Sequence, residues 1–292
     1  MERFFAQIFS RFGELGAIIE IGRPWQAILI GLFPILGISL VNPALGFSSI
    51  IIFLAFFFAW LAGSTLNDLY DENVDKINMP YRPLERRQIS RSTAWTFSIL
   101  THMIALLLAF SLGFKILLLM ILFFIFSTFY SVPPIQFSHR GIFAQIELIF
   151  TVLVIPIYAG VVYTIGSFLI NVKYLVVIQS LFLLFIFAFI VKDFKDITGD
   201  KKGHKFTAVL QFGKQNARLI SLLGTISSFI LFIFTIFHAV NFNLPLLFIW
   251  VVLLITILYS EYTVLKDPER SFALLRIFSL LFVLTIILST NL

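Results

Sequence analysis

The 292-residue sequence contains no cysteine and little charge. The absence of cysteine excludes disulfide bonds, thiolate metal sites and a cysteine nucleophile. Asp, Glu, Lys and Arg make up 12% of the residues, whereas a soluble domain carries about 25%. Hydrophobic residues reach 60% and include 37 phenylalanines, which excludes both an ordinary soluble globule and a disordered chain. The composition therefore predicts a protein that crosses a membrane several times.

Long apolar runs, separated by polar or Gly/Pro-containing segments, predict an all-α fold with nine transmembrane helices. A spanning helix needs about 20 predominantly apolar residues, and the runs have about that length. They are continuous rather than alternating, which argues against a membrane β-barrel. The predicted spans are 24–41, 47–69, 93–113, 115–132, 142–165, 171–192, 215–238, 243–264 and 272–290.

Basic residues concentrate on one side of this predicted topology. Eighteen of the 21 Lys and Arg residues fall in the N-terminal segment and around the loops after the second, fourth, sixth and eighth helices, while the opposite loops hold only Lys115 and Lys173. The positive-inside rule then predicts a cytoplasmic N-terminus and a C-terminus outside. The net charge of +6 reflects this topology, so a nucleic-acid partner loses its support.

The chain divides into a short leading segment and one membrane domain. Residues 1–23 predict an amphipathic helix lying in the membrane interface, and residues 24–292 form the nine-helix domain. The apolar residues of the leading segment recur at helical spacing opposite Arg3, Gln7 and Glu14; they are Phe5, Ile8, Phe9, Phe12 and Leu15.

An acidic row closes the second predicted helix. If that helix continues, Asn67, Asp71 and Asp75 share one face at i, i+4 and i+8, and Asp68 is a near neighbour of the other two aspartates. A second row closes the sixth helix, where aspartates 193, 196 and 200 stack at i, i+3 and i+7. Both rows lie on the predicted cytoplasmic side.

Such rows need a cation, because like charges three or four residues apart on a helix repel each other. Oxygen ligands without cysteine or a suitably spaced histidine pair favour Mg²⁺ over Zn²⁺. Mg²⁺ typically binds one or two carboxylates plus a substrate phosphate, so two facing rows would suit a metal-bridged diphosphate. The alternative, two solvated charged loops, is disfavoured because the spacing occurs twice on one membrane face. Basic residues that could neutralise the remaining phosphate charge flank both rows: Lys76, Arg82, Arg86, Lys192, Lys201 and Lys202.

At these residues the chain resembles the UbiA superfamily of intramembrane prenyltransferases. The first row matches that family's NDxxDxxxD motif in full, and the second matches DxxDxxGD. The resemblance runs from about residue 20 to 290 and includes several further positions: Arg23-Pro24, Asn78, Pro80, Arg82, Pro83, the segment 130–134, Gly203, the segment 207–209 and Gly213.

The resemblance implies a nine-helix enzyme with a central, lipid-accessible cavity, which transfers an isoprenyl group from an allylic diphosphate to an acceptor. The implied cofactor is Mg²⁺, and the implied metal positions are Asn67, Asp68, Asp71, Asp75, Asp193, Asp196 and Asp200. Of these, Asp71, Asp75, Asp196 and Asp200 are predicted to be catalytic. Arg82, Lys192 and Lys201 are implied contacts of the diphosphate, together with Asn67. Tyr130 and Tyr158 are candidates to stabilise an allylic cation through their ring faces.

The acceptor is predicted from the form of the first motif and from charge. The motif is similar to archaeal enzymes that prenylate geranylgeranylglyceryl phosphate, and also to enzymes that prenylate homogentisate or chlorophyllide, so an aromatic or tetrapyrrole acceptor stays open. Surplus positive charge around the two rows predicts an anionic or phenolic head group, with Arg86 as a candidate contact. Arg23 either binds an anionic acceptor or anchors the chain among lipid headgroups, and the headgroup interpretation also applies to Arg86.

A different class of function, an ion-coupled transporter, predicts ionisable groups near helix centres, whereas the acids here lie at helix ends. Glu147 is the exception: it either lines the acceptor pocket or lies near the cytoplasmic interface. The histidines are predicted to be structural, interfacial or solvated rather than catalytic; those considered are His102, His204 and His238. Membrane lipids, a prenyl diphosphate and a lipophilic acceptor are the expected partners, with no obligate protein partner.

Overall fold

The computed structural model describes residues 8–9, 11–42, 44–239 and 244–291, and most of them are helical. The helices, numbered in chain order, are α1 (Gly13–Ile21), α2 (Pro24–Val41), α3 (Phe47–Tyr70), α4 (Glu72–Asn78), α5 (Arg91–Ser111), α6 (Phe114–Ser131), α7 (Ile142–Ile149), α8 (Ile155–Ile165), α9 (Val172–Ala188), α10 (Ile197–Lys202), α11 (Ala208–Phe212), α12 (Lys214–Ala239), α13 (Leu244–Thr263) and α14 (Pro268–Asn291).

Eight helical segments of the described chain are long and apolar enough to cross a membrane. Their continuous apolar sequences favour helices, because a helix satisfies its own backbone hydrogen bonds where lipid offers none. The prediction of an all-α, multi-pass membrane protein is confirmed. Helix α13 carries a shorter apolar stretch, Leu247–Thr263, so the count of nine spans stays a prediction.

Two predicted spans are less regular than their sequences suggested. The fifth is a single rod in which a π-helical turn, Phe150–Val154, joins α7 to α8. The sixth tightens after α9 into a 3-10 helix, Phe189–Phe194, before it leaves the membrane. Both irregular turns contribute residues to the cavity described below.

The membrane helices pack around a central space. Helix α2 contacts α3, α8 and α14, and α9 packs along α12. Glycines permit the close crossing of α2 and α8, because a methyl group on Gly37 would lie 2.0 Å from the carbonyl oxygen of Ile157, and one on Gly160 would lie 2.0 Å from that of Pro34. Small residues at such crossings are the usual means by which membrane helices approach closely.

The connections on one side of the helices are the most structured. Those after α3 and α9 form the short helices α4 and α10, which contact each other. Two short parallel strands, β1 (Arg140–Gly141) and β2 (Phe206–Thr207), tie the connection after α6 to the one after α10. These contacts bring segments far apart in sequence to one end of the central space.

The leading segment is partly described. Helix α1 packs against α3 and α5, with Ala17 and Ile21 buried. Phe12 and Leu15 are 65% and 66% exposed, as an interfacial helix requires, whereas Phe5 lies outside the described residues. The interfacial location of residues 1–23 stays a prediction.

Candidate active site

A cavity of about 430 Å³ occupies the centre of the helix assembly. Its walls are mostly apolar and aromatic, while its polar end carries side chains from both acidic motifs. The charged and amide residues on its wall are Arg23, Gln26, Asn67, Asp71, Asp75, Asn78, Arg82, Glu147, Lys192, Asp193, Lys195, Asp196, Asp200, Lys205 and Arg276.

The first motif is not one continuous helix, as the sequence spacing had assumed. Helix α3 ends at Tyr70, Asp71 adopts a non-helical conformation, and α4 begins at Glu72. Even so, Asn67, Asp71 and Asp75 all reach the cavity. The three side chains therefore come together because the chain bends at Asp71, and not because they share one face of a continuous helix.

Asp71 is the best-connected carboxylate of the first motif. Lys205 Nζ lies 2.5 Å from its Oδ2, and the Asn67 amide donates to the same oxygen at 3.1 Å. His139 Nε2 lies 3.8 Å from Oδ1. Burial would raise the pKa of Asp71, but Lys205 and His139 together outweigh burial and hold that pKa well below its ordinary value. Burial would lower the pKa of Lys205, but Asp71, Tyr130 and Asp200 together outweigh burial and raise that pKa.

Arg82 links the other two acids of the first motif. Its guanidinium donates to Asp68 at 3.0 Å and to Asp75, and Arg23 donates to Asp68 as well. Asp68 lies beside the cavity, among Glu20, Arg23 and Arg82, and does not line it. Burial raises the pKa of Asp75 to about 6 despite Arg82, because Asp68 and Asp71 add negative charge.

The second motif is held by one adjacent lysine and by two amide side chains from other segments. Asp193 lies in the 3-10 helix, where it accepts a hydrogen bond of 3.1 Å from Gln145. Lys195 donates to both oxygens of the adjacent Asp196 at 2.9 Å. Asp200 accepts from the Asn78 amide at 3.1 Å. Burial raises the pKa of Asp200 to about 7, although Lys205 opposes the shift.

Asn78 joins the two motifs directly. Its side-chain oxygen accepts from the Gly199 backbone N–H at 2.8 Å, while its amide nitrogen donates to Asp200. A methyl group on Gly199 would lie 2.3 Å from that side-chain oxygen. The glycine of the second motif therefore allows α4 and α10 to dock against each other.

Several predicted site residues lie together, and others do not. Tyr130 lines the cavity with its hydroxyl 3.4 Å from Lys192 Nζ, and Arg23 also lines it. Arg86 is absent from the wall and pairs with the buried Glu20 at 2.8 Å, while Lys201 is exposed on α10. The Tyr158 hydroxyl donates to the backbone carbonyl of Phe168, in the connection that follows α8.

Glu147 and the histidines considered in the sequence analysis lie in different parts of the structure. Glu147 lines the cavity, so the structure favours the pocket over the interface. His102 contacts the Ser98 carbonyl at 2.8 Å and packs against Phe124, whereas His204 is exposed. His238 packs on a phenylalanine ring near the far end of α12.

The sequence analysis assigned no site role to five residues that contact the motifs: Lys205, His139, Gln145, Lys195 and Asn78. Lys205 stands between Gly203 and Thr207, both noted in the sequence, but nothing there shows that it pairs with an acid 134 residues away. The β1–β2 pairing, which positions Lys205 and His139 on one side of the cavity, is likewise a long-range contact.

The donor set is compatible with Mg²⁺. Asp71 Oδ1 is buried and has no hydrogen-bond partner among the described residues. Carboxylates of both motifs line the same end of the cavity. Mg²⁺ keeps several waters and combines one or two carboxylates with substrate phosphates, so these oxygens are sufficient for it.

Comparison with known proteins agrees with this geometry. Residues 28–286 match the sequence model of the UbiA prenyltransferase family. Two relatives named digeranylgeranylglyceryl phosphate synthase, from Pyrococcus horikoshii and Pyrococcus abyssi, are 30% and 32% identical, and each alignment covers 88% of this chain and 90% of the relative.

Solved structures share the fold. A UbiA homologue from Archaeoglobus fulgidus, bound to DMAPP and Mg²⁺, has a TM-score of 0.72 at 20% identity, over 94% of this chain and 98% of that one. The apo structure of a UbiA homologue from Aeropyrum pernix has a TM-score of 0.75 at 19% identity, over 90% and 97%. An ion-coupled transporter is not supported by any of these matches. The chain belongs to the UbiA prenyltransferase family and is a multi-pass membrane prenyltransferase.

Proposed function

We propose that the protein carries out Mg²⁺-dependent transfer of a polyprenyl group, such as geranylgeranyl, from its diphosphate to geranylgeranylglyceryl phosphate. The observation that carries the reaction class is the convergence of both acidic motifs and several cations on one apolar cavity. The acceptor rests on the relatives from the two Pyrococcus species, whose name specifies that ether-lipid reaction.

The cavity suits a donor with an apolar chain and a polyanionic head. Phe33, Phe123 and Phe185 contribute apolar wall for the prenyl chain. At the polar end, Lys192 and Lys205 are positioned to hold the diphosphate by charge-assisted hydrogen bonds. Burying both parts together keeps water from capturing a reactive allylic carbon.

Asn67, Asp71, Asp75, Asp196 and Asp200 are the residues that would hold Mg²⁺. The bound metal would neutralise negative charge on the departing diphosphate. Asp193 also lines the cavity, whereas Asp68 is engaged by Arg23 and Arg82 at its edge. We therefore assign Asp68 to the support of these two arginines rather than to the metal.

Tyr130 supplies the aromatic face nearest the charged end. Its hydroxyl accepts from Lys192, and its ring lies 5.9 Å from the same ammonium group. A ring that already faces a cation can stabilise positive charge on an allylic carbon in the same way. Lys192 then fixes the ring orientation through the hydroxyl.

Product analysis tests the proposal. Purified protein in lipid nanodiscs would receive geranylgeranyl diphosphate with geranylgeranylglyceryl phosphate, homogentisate or chlorophyllide, with Mg²⁺ or EDTA. We expect an ether product and pyrophosphate release only with the glyceryl phosphate and Mg²⁺. Prenylation of an aromatic or tetrapyrrole acceptor alone would contradict the proposed acceptor.

We also propose that the polar end of the cavity faces the cytoplasm, with the N-terminus on that side and the C-terminus outside. The support is the asymmetry of Lys and Arg between the two sets of loops. Because the chain has no cysteine, Lys202→Cys and Leu169→Cys give single labels at exposed positions on opposite sides. In right-side-out vesicles, an impermeant maleimide should label only the cysteine at 169; labelling only the cysteine at 202 would reverse the orientation.

A further inference from the structure

Two glutamates are buried within the membrane helices. Glu147, on α7, is 6% exposed, and Glu261, on α13, is fully buried. Each carboxyl accepts a hydrogen bond from a threonine, at 2.8 Å from Thr151 and at 2.6 Å from Thr225. A carboxyl group at this depth is costly, and such residues usually serve a function.

The two glutamates differ in what lies beside them. Glu147 and Thr151 are on the cavity wall, whereas Glu261 is absent from that wall and is held by Thr225 of the neighbouring helix α12. The second oxygen, Oε2, is buried without a hydrogen-bond partner among the described residues in both glutamates, so the location on the cavity wall is what distinguishes Glu147. Glu147 is thus a cavity-lining carboxyl with one acceptor atom still to be satisfied.

The chemistry of that oxygen selects what can bind it. A carboxylate oxygen accepts hydrogen bonds, so a prenyl chain cannot satisfy it and an anionic diphosphate is repelled by it. A hydroxyl group can donate to it. Among the substrates of the proposed reaction, the acceptor alcohol is the one that carries such a group.

Two contacts connect Glu147 with the charged end of the cavity. Lys192 lies on the same wall and interacts electrostatically with the Glu147 carboxyl. Gln145, two residues earlier on α7, donates to Asp193 of the second motif. The helix that carries Glu147 is therefore fixed directly to the acidic end of the cavity.

We infer that Glu147 binds the nucleophilic hydroxyl of the acceptor and receives its proton; this inference rests on the proposed function. The hydroxyl oxygen forms a bond to C1 of the prenyl group, and the bond from C1 to the diphosphate oxygen breaks with its electron pair on the diphosphate. The hydroxyl proton passes to Glu147 Oε2. Thr151 holds the other oxygen and orients the carboxylate.

Glu147→Gln tests the assignment, with Glu261→Gln as the matched control for loss of a buried membrane carboxyl. Both amides keep an oxygen that can accept the threonine hydrogen bond, but the amide at position 147 cannot take a proton. With geranylgeranyl diphosphate and geranylgeranylglyceryl phosphate, we expect kcat of Glu147→Gln to fall by roughly 10²–10⁴-fold, the range for general-base catalysis. The donor KM of this variant and the kcat of Glu261→Gln should stay within about twofold of wild type.

The outcomes separate this inference from the proposed function. If wild-type protein forms no ether product, the proposed function is wrong whatever the variants do. If wild type forms it and Glu147→Gln keeps its kcat, or loses donor binding to the same extent as turnover, the role of Glu147 is wrong. Should Glu147→Gln fail to fold, Thr151→Val replaces it: a several-fold lower kcat with unchanged donor KM supports the inference, and unchanged kcat overturns it.

Discussion

The two acidic motifs have the same plan but different electrostatic support. Each follows a membrane helix, contains a bend and ends in a short helix, α4 or α10. The first receives three cations: Arg23 precedes α2, Arg82 follows α4 within the same connection, and Lys205 follows the second motif. Its aspartates are therefore compensated by three buried or half-buried positive charges.

The second motif depends on neighbours and on neutral groups. Asp196 pairs with the adjacent Lys195, and Asp193 lies 3.8 Å from the adjacent Lys192 and accepts from the Gln145 amide. Asp200 accepts a hydrogen bond from the Asn78 amide. An amide contributes a dipole where an ammonium contributes a full charge, so Asp200 is the least compensated of the three. The comparison indicates that the first motif is built as an ion-pair network, whereas the second carries negative charge available to a metal-bound diphosphate.

Catalysis should depend on both motifs despite this difference. Asp71→Asn and Asp200→Asn should each reduce prenyl transfer by roughly 10²–10³-fold or more, because each removes a ligand that helps to stabilise charge on the leaving group. Initial rates of pyrophosphate release measure the effect. Asp267→Asn is the control: its side chain caps α14 on the surface, and an asparagine can still accept from Arg270 N–H. Full activity in either site variant would remove that motif from the metal site.

In the absence of metal, neutralising an aspartate should lower the thermal stability in the first motif but not in the second. Asp71→Asn leaves the buried Lys205 ammonium without its carboxylate, which should cost about 3–5 kcal/mol. Asp200→Asn removes a buried, poorly compensated charge and should leave the melting temperature unchanged or raised. Thermal unfolding in detergent with EDTA measures both.

A second substitution checks the cause of the loss at Asp71. Adding Lys205→Met to Asp71→Asn removes the stranded charge and should recover most of the lost stability. Equal destabilisation by Asp71→Asn and Asp200→Asn would mean that the two motifs are compensated alike.

Substitutions at the contact between Asn78 and the second motif should have a smaller effect. Asn78→Ala deletes the hydrogen bonds to Asp200 and to the Gly199 N–H, which should cost about 1–3 kcal/mol and raise the Mg²⁺ concentration for half-maximal activity several-fold. Gly199→Ala, which forces α4 and α10 apart, should give the same shift in Mg²⁺ dependence. Wild-type Mg²⁺ dependence in both variants would show that docking of α4 on α10 does not position the second motif.

The sequence was sufficient for those features that depend on composition and local spacing. Apolar runs located the membrane helices within a few residues, and the motif residues Asn67, Asp71 and Asp196 line the cavity. The prediction that each acidic row lies on one continuous helix was wrong. The chain bends at Asp71 in the first motif, and it tightens into a 3-10 helix before Asp196 in the second. The bends still direct these side chains inward.

Features that depend on long-range contacts could not be predicted. Arg86 and Arg82 are four residues apart and equally basic, yet Arg82 enters the cavity while Arg86 pairs with Glu20 of α1. Lys205 gives no local sign of its partner Asp71, because the β1–β2 pairing that positions it joins segments more than 60 residues apart. In each case the partner that determines the position of the side chain is far away in the sequence, so local sequence patterns cannot identify it.

The connections after the two motifs should also differ in their response to pH. Glu85 follows the first motif, and burial together with Asp75 raises its pKa from an ordinary value of 4.5 to about 7. Residues 201–207 after the second motif contain no acid. Between pH 4.5 and 7 the folded state keeps a proton on Glu85 that the unfolded state has released, so this group makes stability fall as pH rises through that window.

Glu85→Gln should therefore match wild type near pH 4.5 and become the more stable protein above pH 7. The gain should be below about 1 kcal/mol, because Glu85 is partly exposed and solvent screens it. Glu72→Gln is the matched control with the opposite sign: Lys76, 2.9 Å from Glu72, and Arg91 lower the pKa of Glu72, so the wild-type carboxylate stabilises the protein at neutral pH and loses that effect in acid. Melting temperatures of the three proteins from pH 4.5 to 8 measure both effects. Parallel curves for Glu85→Gln and wild type would show that the connection after the first motif does not bury Glu85.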